Sequence, residues 1–130
     1  RLGRCTLNVQ IETLMMIDSL HMTEQDRQRI VENCIGCENP RIIITHGTDT
    51  MVETAKAIAE ANIPKTVILT GAMIPYKFGS SDGLFNMGCA LSFVQTLPHG
   101  VYITMNGRYF VWNNVRKNKE EGFFEELTMG

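Results

Sequence analysis

The sequence of 130 residues has no excess of either charge: 12 basic against 14 acidic side chains leave a formal net charge of −2. Without a broad positive field, a phosphate backbone or an anionic membrane surface is a poor partner, and neither nucleic acid nor membrane is expected to bind. No apolar run approaches the roughly 18 to 20 residues that cross a bilayer. The start, Arg1-Leu-Gly-Arg4 followed by Cys-Thr-Leu-Asn, lacks the apolar stretch of a signal peptide. Cysteine is sparse. Cys5, Cys34, Cys37 and Cys89 are scattered, and the Cys34-Ile-Gly-Cys37 spacing is joined by no second pair and no histidine at finger distance. Reduced thiols, a cytoplasmic location, no metal and no cofactor are the expectation. Neither a Gly-Lys-Ser/Thr phosphate loop nor a three-glycine dinucleotide fingerprint occurs. With only 11 glycines and four prolines against 44% hydrophobic residues, a disordered or collagen-like chain is excluded. A chain of this size buries about two-thirds of its unfolded surface, so residues 1–130 are read as one domain.

What is present is an alternation of short apolar runs with longer helical patterns, the sequence form of repeated strand–helix–strand units. Thr6-Leu-Asn-Val-Gln-Ile11 alternates and predicts a first strand. Thr23 and Asp26 have capping-box spacing, and Ile30, Val31, Cys34 and Ile35 line one face of a helix that Gly36 and Pro40 end. Arg41-Ile-Ile-Ile-Thr45 and Lys65-Thr-Val-Ile-Leu-Thr70 predict buried parallel strands. Between them Met51, Val52, Ala55, Ile58 and Ala59 form the inner stripe of a second helix, stopped by Pro64. A third helix from Asp82 to about Leu97 is apolar almost all round, and so lies deep or in a subunit interface. Asn106-Gly107 between Val101-Tyr-Ile-Thr-Met105 and Arg108-Tyr-Phe-Val-Trp112 predicts a tight hairpin, the one antiparallel element expected. The fold class is three-layer α/β/α, a mostly parallel Rossmann- or flavodoxin-like sheet with one C-terminal β-hairpin.

In an open parallel sheet, ligands bind beyond the carboxyl ends of the strands, where helix N-termini aim free N–H groups. Three loops qualify: Ile17-Asp-Ser19, Thr45-His-Gly-Thr-Asp-Thr50 and Thr70-Gly-Ala-Met73. Thr48, Asp49 and Thr50 could simply cap the following helix. Capping needs only one of them, and a hydroxyl beside a carboxylate after a glycine also suits a nucleophile with a cation partner. His46 is read as structural or as a support behind the site residues, and His21 and His99 have no partners in sequence. Arg108, Tyr109, Phe110, Trp112, Arg116 and Lys119 mix basic and aromatic groups, but the acidic stretch after them argues against nucleic acid.

Ile44-Thr-His-Gly-Thr-Asp-Thr-Met51, followed by Glu53 and Ala55, resembles the second signature of the bacterial-type L-asparaginase and glutaminase family. Leu69-Thr-Gly-Ala-Met-Ile-Pro75 through Ser81-Asp-Gly-Leu-Phe-Asn86 is similar to that family's next block, and Asp18-Ser19 with Met22-Thr23 to its substrate-binding turn. Asn114-Val-Arg-Lys117 sits where the family places its catalytic lysine. The resemblance implies an inner triad of Thr48, Asp49 and Lys117, with Lys117 taking a proton from Thr48 or from a water. It further implies that Asp49 orients that pair and holds the substrate's α-ammonium, that Asp18 and Ser19 lie against the α-carboxylate, that Gly47 lets the backbone approach, and that Ala72 offers its backbone to the amide.

The family's Thr-Gly-Gly-Thr turn, with its other nucleophilic threonine, does not occur between Arg1 and Gly130. It is expected, with a first strand, before Arg1, and the chain resembles a shortened, single-domain version of the N-terminal catalytic domain. Ile74 stands where many members place a basic residue, and Leu20-His21 where some place polar side chains. The expected function is hydrolysis of L-asparagine or a similar small amide, improving above neutral pH because a lysine is a base only when neutral. The alternative is an inactive relative that binds aspartate or asparagine. A homo-oligomer, dimer or tetramer, is expected to cover the apolar third helix.

Overall fold

A computed structural model describes residues 4–75 and 79–127. The predicted Gly- and Ser-rich loop after Pro75 falls partly outside them. Among the described residues the chain forms a 3-10 turn, Ser19–His21, then α1 (Glu24–Gly36), β1 (Arg41–Thr45), α2 (Met51–Glu60), β2 (Thr66–Thr70), α3 (Gly83–Thr96), β3 (Gly100–Met105), β4 (Arg108–Val111), β5 (Arg116–Asn118) and β6 (Phe123–Glu125). The first sheet runs in the order β1-β2-β3-β4. Ile43 lies opposite Ile68 and Leu69 opposite Ile103 in parallel pairs, while Ile103 faces Phe110 across the antiparallel hairpin.

Successive strand side chains point to opposite faces, and the two faces carry separate apolar clusters. Val67, Leu69, Val101, Ile103 and Met105 pack with α1 and α2 through Ile30, Val31, Met51, Ala55 and Ile58. Ile68 and Tyr102 pack with α3 through Ala90 and Val94. The result is the expected three-layer arrangement, with β2 buried along its whole length as its continuous Val-Ile-Leu run requires. Each aliphatic side chain fully withdrawn from water there contributes about 1.5–3 kcal/mol.

Local chemistry sets the element ends. Thr23 Oγ1 accepts from Asp26 N at 3.2 Å while Asp26 Oδ2 accepts from Thr23 N at 2.9 Å, a reciprocal capping box at the start of α1. At its other end, Lys65 Nζ donates to the carbonyls of Cys34 at 2.7 Å, of Ile35 at 3.3 Å and of Cys37, so that a cation sits where the helix dipole is negative. The four cysteines are free. Burial pushes the Cys34 thiol up to about 11, so this member of the Cys34/Cys37 pair is inert. At the β3–β4 turn, Asn106 and Gly107 have φ of 59° and 77°, which matches the twist of the hairpin.

Two expectations are corrected. Residues 6–11 form no strand: they pair with nothing among the described residues and Ile11 is four-fifths exposed. Alternation signals a strand only when a sheet edge is there to receive it. The Asn106-Gly107 hairpin is also not the one antiparallel element. The polar and acidic tail folds into the β5–β6 ribbon, with Lys117 opposite Phe124. Phe124 is buried in the core, and its backbone N–H is held at 2.8 Å by Asn106 Oδ1. Arg108 of β4 pairs with Glu126 and Arg116 of β5 with Glu125, each at 2.6 Å, so these basic side chains are answered by the acids that follow.

Candidate active site

The loops after β1 and β2 and the Ser19 turn come together through two glycines. A Cβ on Gly71 would lie 2.2 Å from the His46 carbonyl oxygen, so the two loops touch backbone to backbone. His46 N also donates to Thr70 O at 2.9 Å. A Cβ on Gly47 would lie 2.7 Å from Ser19 Oγ and 2.9 Å from Ser19 Cβ, which seats the first loop on the Ser19 turn. Thr50 Oγ1 closes that junction by donating to Ser19 O at 2.9 Å. Thr50 occupies the N-cap position of α2 but makes no side-chain cap bond. Thr48 and Asp49 are engaged elsewhere as well, so simple capping does not account for these three residues.

Thr48 and Asp49 meet Lys117, which β5 delivers from 69 and 68 residues further along the chain. Lys117 Nζ donates to Thr48 Oγ1 and to Asp49 Oδ1, both at 2.8 Å. The lysine side chain is 15% exposed and that of Asp49 34%, so the ammonium is largely withdrawn from water while the carboxylate keeps an open side. The hydrogen bond from Lys117 holds the Asp49 carboxyl below its ordinary value, against a smaller opposing effect of burial. The solvated basic turn that Arg116, Lys117 and Lys119 suggest in isolation is therefore not what forms.

The other residues singled out in sequence are distributed as follows. Asp18 caps the 3-10 turn, its Oδ1 accepting from Leu20 N at 2.9 Å. Ser19 is buried, and its hydroxyl has no partner among the described residues. Ala72 is half-buried in the loop after β2. That loop is clamped by Asp82 and Asn86, which belong to the block that resembles the family but have no role assigned from sequence. Asp82 accepts from Met73 N at 3.1 Å and Ile74 N at 3.0 Å, and Asn86 Nδ2 donates to Gly71 O at 2.8 Å. Burial alone would raise the Asp82 carboxyl, but these backbone bonds and that from Asn86 outweigh it and hold it below its ordinary value. His46 is buried in contact with Thr54, and Thr54 with Arg27. Position 27 lies three before Ile30 and four before Val31, on the inward stripe of α1; a cation there was the available signal. Among the described residues no three His, Cys, Asp or Glu side chains cluster so as to hold a metal ion, and no helix is long and apolar enough to cross a membrane.

Fold and site together define an α/β protein of the parallel-sheet class, with an amine, a hydroxyl and a carboxylate joined at the carboxyl edge of the sheet. The model of the family described as asparaginase, N-terminal, matches residues 3–125. The chain belongs to the asparaginase family. It is 35% identical over 113 residues to L-asparaginase 1 of Escherichia coli K12, covering 83% of this chain and 33% of that relative. It is 36% identical over 78 residues to the L-asparaginase of Thermococcus kodakarensis, covering 58% and 24%. Among solved structures, the thermostable L-asparaginase from Thermococcus kodakarensis superposes with a TM-score of 0.87 at 28% identity, covering 99% of this chain and 42% of that one. The matched part of the chain thus spans about a quarter to a third of the length of these curated relatives.

Proposed function

We propose that this domain carries the catalytic center of an amidohydrolase that converts L-asparagine, or a similar small amide, to the acid and ammonia. The observation that carries the reading is the convergence of Lys117 Nζ on Thr48 Oγ1 and Asp49 Oδ1 at 2.8 Å each. The names of the relatives, L-asparaginase 1 and L-asparaginase, support the substrate class.

In the proposed chemistry, neutral Lys117 takes the proton of Thr48, or of a water that Thr48 positions, as the oxygen adds to the amide carbon. The carbon–nitrogen bond then breaks, and the departing nitrogen takes that proton from Nζ and leaves as ammonia. Where Thr48 itself becomes acylated, water completes the cycle. Where a further threonine is supplied from outside residues 1–130, that residue forms the acyl-enzyme and Thr48 orients the water. Asp49 steers Lys117 with one oxygen and leaves carboxylate surface for the substrate's α-ammonium. On this reading the Asp18-Ser19 turn lies beside the α-carboxylate, Gly47, whose open side is filled by Ser19, seats that turn, and Ala72 presents its backbone to the amide. Assembly as a dimer or tetramer in the cytoplasm completes the proposal.

The test is ammonia release from asparagine and from glutamine by the natural protein, with Thr48→Ala as control. Turnover that Thr48→Ala lowers by a hundredfold or more is expected. Full activity in Thr48→Ala would remove the residue from the mechanism. Binding of aspartate or asparagine without ammonia release would favor an amino-acid-binding relative instead.

A further inference from the structure

We propose that Arg27, Thr54 and His46 form a proton-ordered relay that positions Gly47 and Thr48 for the reaction, an inference that rests on the amidohydrolase reading above. The three side chains come from α1, α2 and the loop after β1, and all are buried: Arg27 and His46 are 8% exposed and Thr54 is 0% exposed. Arg27 is a buried cation with little ionic compensation. The one ion pair it makes among the described residues is with Glu24 at 3.5 Å, whose side chain is 82% exposed. A buried charge without a full counter-charge must be satisfied by hydrogen bonds, and Arg27 Nε donates to Thr54 Oγ1 at 3.2 Å.

That bond uses one of the two lone pairs of Thr54 Oγ1. A guanidinium can only donate, so Thr54 Oγ1 accepts from Arg27 and its single proton must point elsewhere. His46 Nε2 lies 2.8 Å away; the other acceptor, Met22 Sδ, is at 3.7 Å and is a poor one. The ring therefore receives the Thr54 proton on a bare Nε2 and carries its own on Nδ1. Nδ1 is 2.7 Å from Gly47 O, a carbonyl that can only accept. Gly47 O fixes Nδ1 as the donor, and in a neutral ring Nε2 is then bare and accepts from Thr54 Oγ1, which is the Nδ1–H tautomer. The last link grips the carbonyl of the residue immediately before Thr48.

Protonating His46 breaks this order at Thr54, whose oxygen would then face two donors while its own proton turned to Met22. The charges acting on the ring are Arg27 from α1, which opposes protonation, and Glu53 from α2, which favors it. The nearby ends of β1 and β2, Thr45 and Thr70, bring no titratable group, and Asp49 and Lys117 in the neighboring site form a compensated pair. Burial foremost holds the imidazole below its ordinary value, consistent with a ring kept neutral.

Two measurements test the relay. Nitrogen-15 NMR of the histidine-labelled protein is expected to show a protonated Nδ1 and an unprotonated Nε2 on His46 at neutral pH. An Nε2–H tautomer would overturn the proposal, whatever the activity. In the ammonia assay, Thr54→Val is expected to lower kcat by about tenfold with KM moving less than twofold, and Thr54→Ser to restore most of it. Arg27→Met, which removes the charge opposing protonation, is expected to move the NMR titration midpoint of His46 upward by about 0.5–1 pH unit. If the unaltered protein turns over and neither Thr54→Val nor Arg27→Met changes these parameters, the relay is wrong and the amidohydrolase reading stands. If the unaltered protein releases no ammonia, that reading falls and the tautomer alone decides the relay.

Discussion

Replacing Gly47 by alanine tests how the catalytic loop is seated. Gly47 is not among the positive-φ glycines, so the added methyl acts through space alone. It would arrive 2.7 Å from Ser19 Oγ and 2.9 Å from Ser19 Cβ, with Ser19 N at 3.3 Å. Real Cβ contacts do not approach so closely, and Ser19 cannot swing away freely because it is 2% exposed and its carbonyl is held by Thr50. Overpacking of this kind costs about 1–3 kcal/mol. For a domain of this length that corresponds to a loss of about 3–12 °C in Tm. The clash is with one side chain, so it is separable: Ser19→Gly removes both of the closest contacts, at its own cost of about 0.5–1 kcal/mol in backbone entropy. In a double-mutant cycle followed by chemical denaturation, Gly47→Ala should therefore cost clearly less in the Ser19→Gly background, with a coupling of at least about 1 kcal/mol. Additive effects, or a Gly47→Ala variant within about 0.5 kcal/mol of the parent, would refute this packing of the loop.

Lys65→Met leaves the last carbonyls of α1 without their shared donor; a loss of about 1 kcal/mol is expected, read as a fall of about 3–5 °C in Tm. The Asp82 carboxyl, held below its ordinary value in the fold, contributes stability that is present above the unfolded value near pH 4 and lost as pH falls through the folded one. Denaturation midpoints measured from pH 6 down to pH 3 should thus fall more steeply for the parent than for Asp82→Asn; parallel curves would show that the Met73 and Ile74 clamp is not coupled to folding.

The parts of the fold legible in sequence were those with a local cause. The Thr23 and Asp26 capping box, the buried Val-Ile-Leu run of β2 and the Asn106-Gly107 turn each carry their reason within a few residues. Residues 6–11 misled because alternation records only that a segment could be half-buried in a sheet, and no neighbor among the described residues receives it. The β5–β6 ribbon was hidden for the opposite reason. Its strands are three residues each, Arg-Lys-Asn and Phe-Phe-Glu, too short to show a pattern, and what orders them is remote: Phe124 entering the core and Asn106 holding its N–H. At the site, Thr48 and Asp49 were conspicuous, whereas Lys117 looked like part of a solvated basic turn until its place along the chain was matched to the family. Spacing within the chain does not show that a residue 69 positions away closes on Thr48. Arg27 and Thr54 escaped notice because each is unremarkable alone, and only the packing of α1 on α2 makes them neighbors of His46.

The most direct trial of Lys117 as the base is ammonia release from asparagine by the natural protein carrying Lys117→Met, with folding verified by circular dichroism and aspartate binding by calorimetry. Removing the amine that joins Thr48 to Asp49 takes away the proposed base while leaving the strands and loops in place. A loss of at least about a hundredfold in kcat with aspartate still bound is expected. A folded Lys117→Met protein that hydrolyses asparagine at the parent rate would contradict that role.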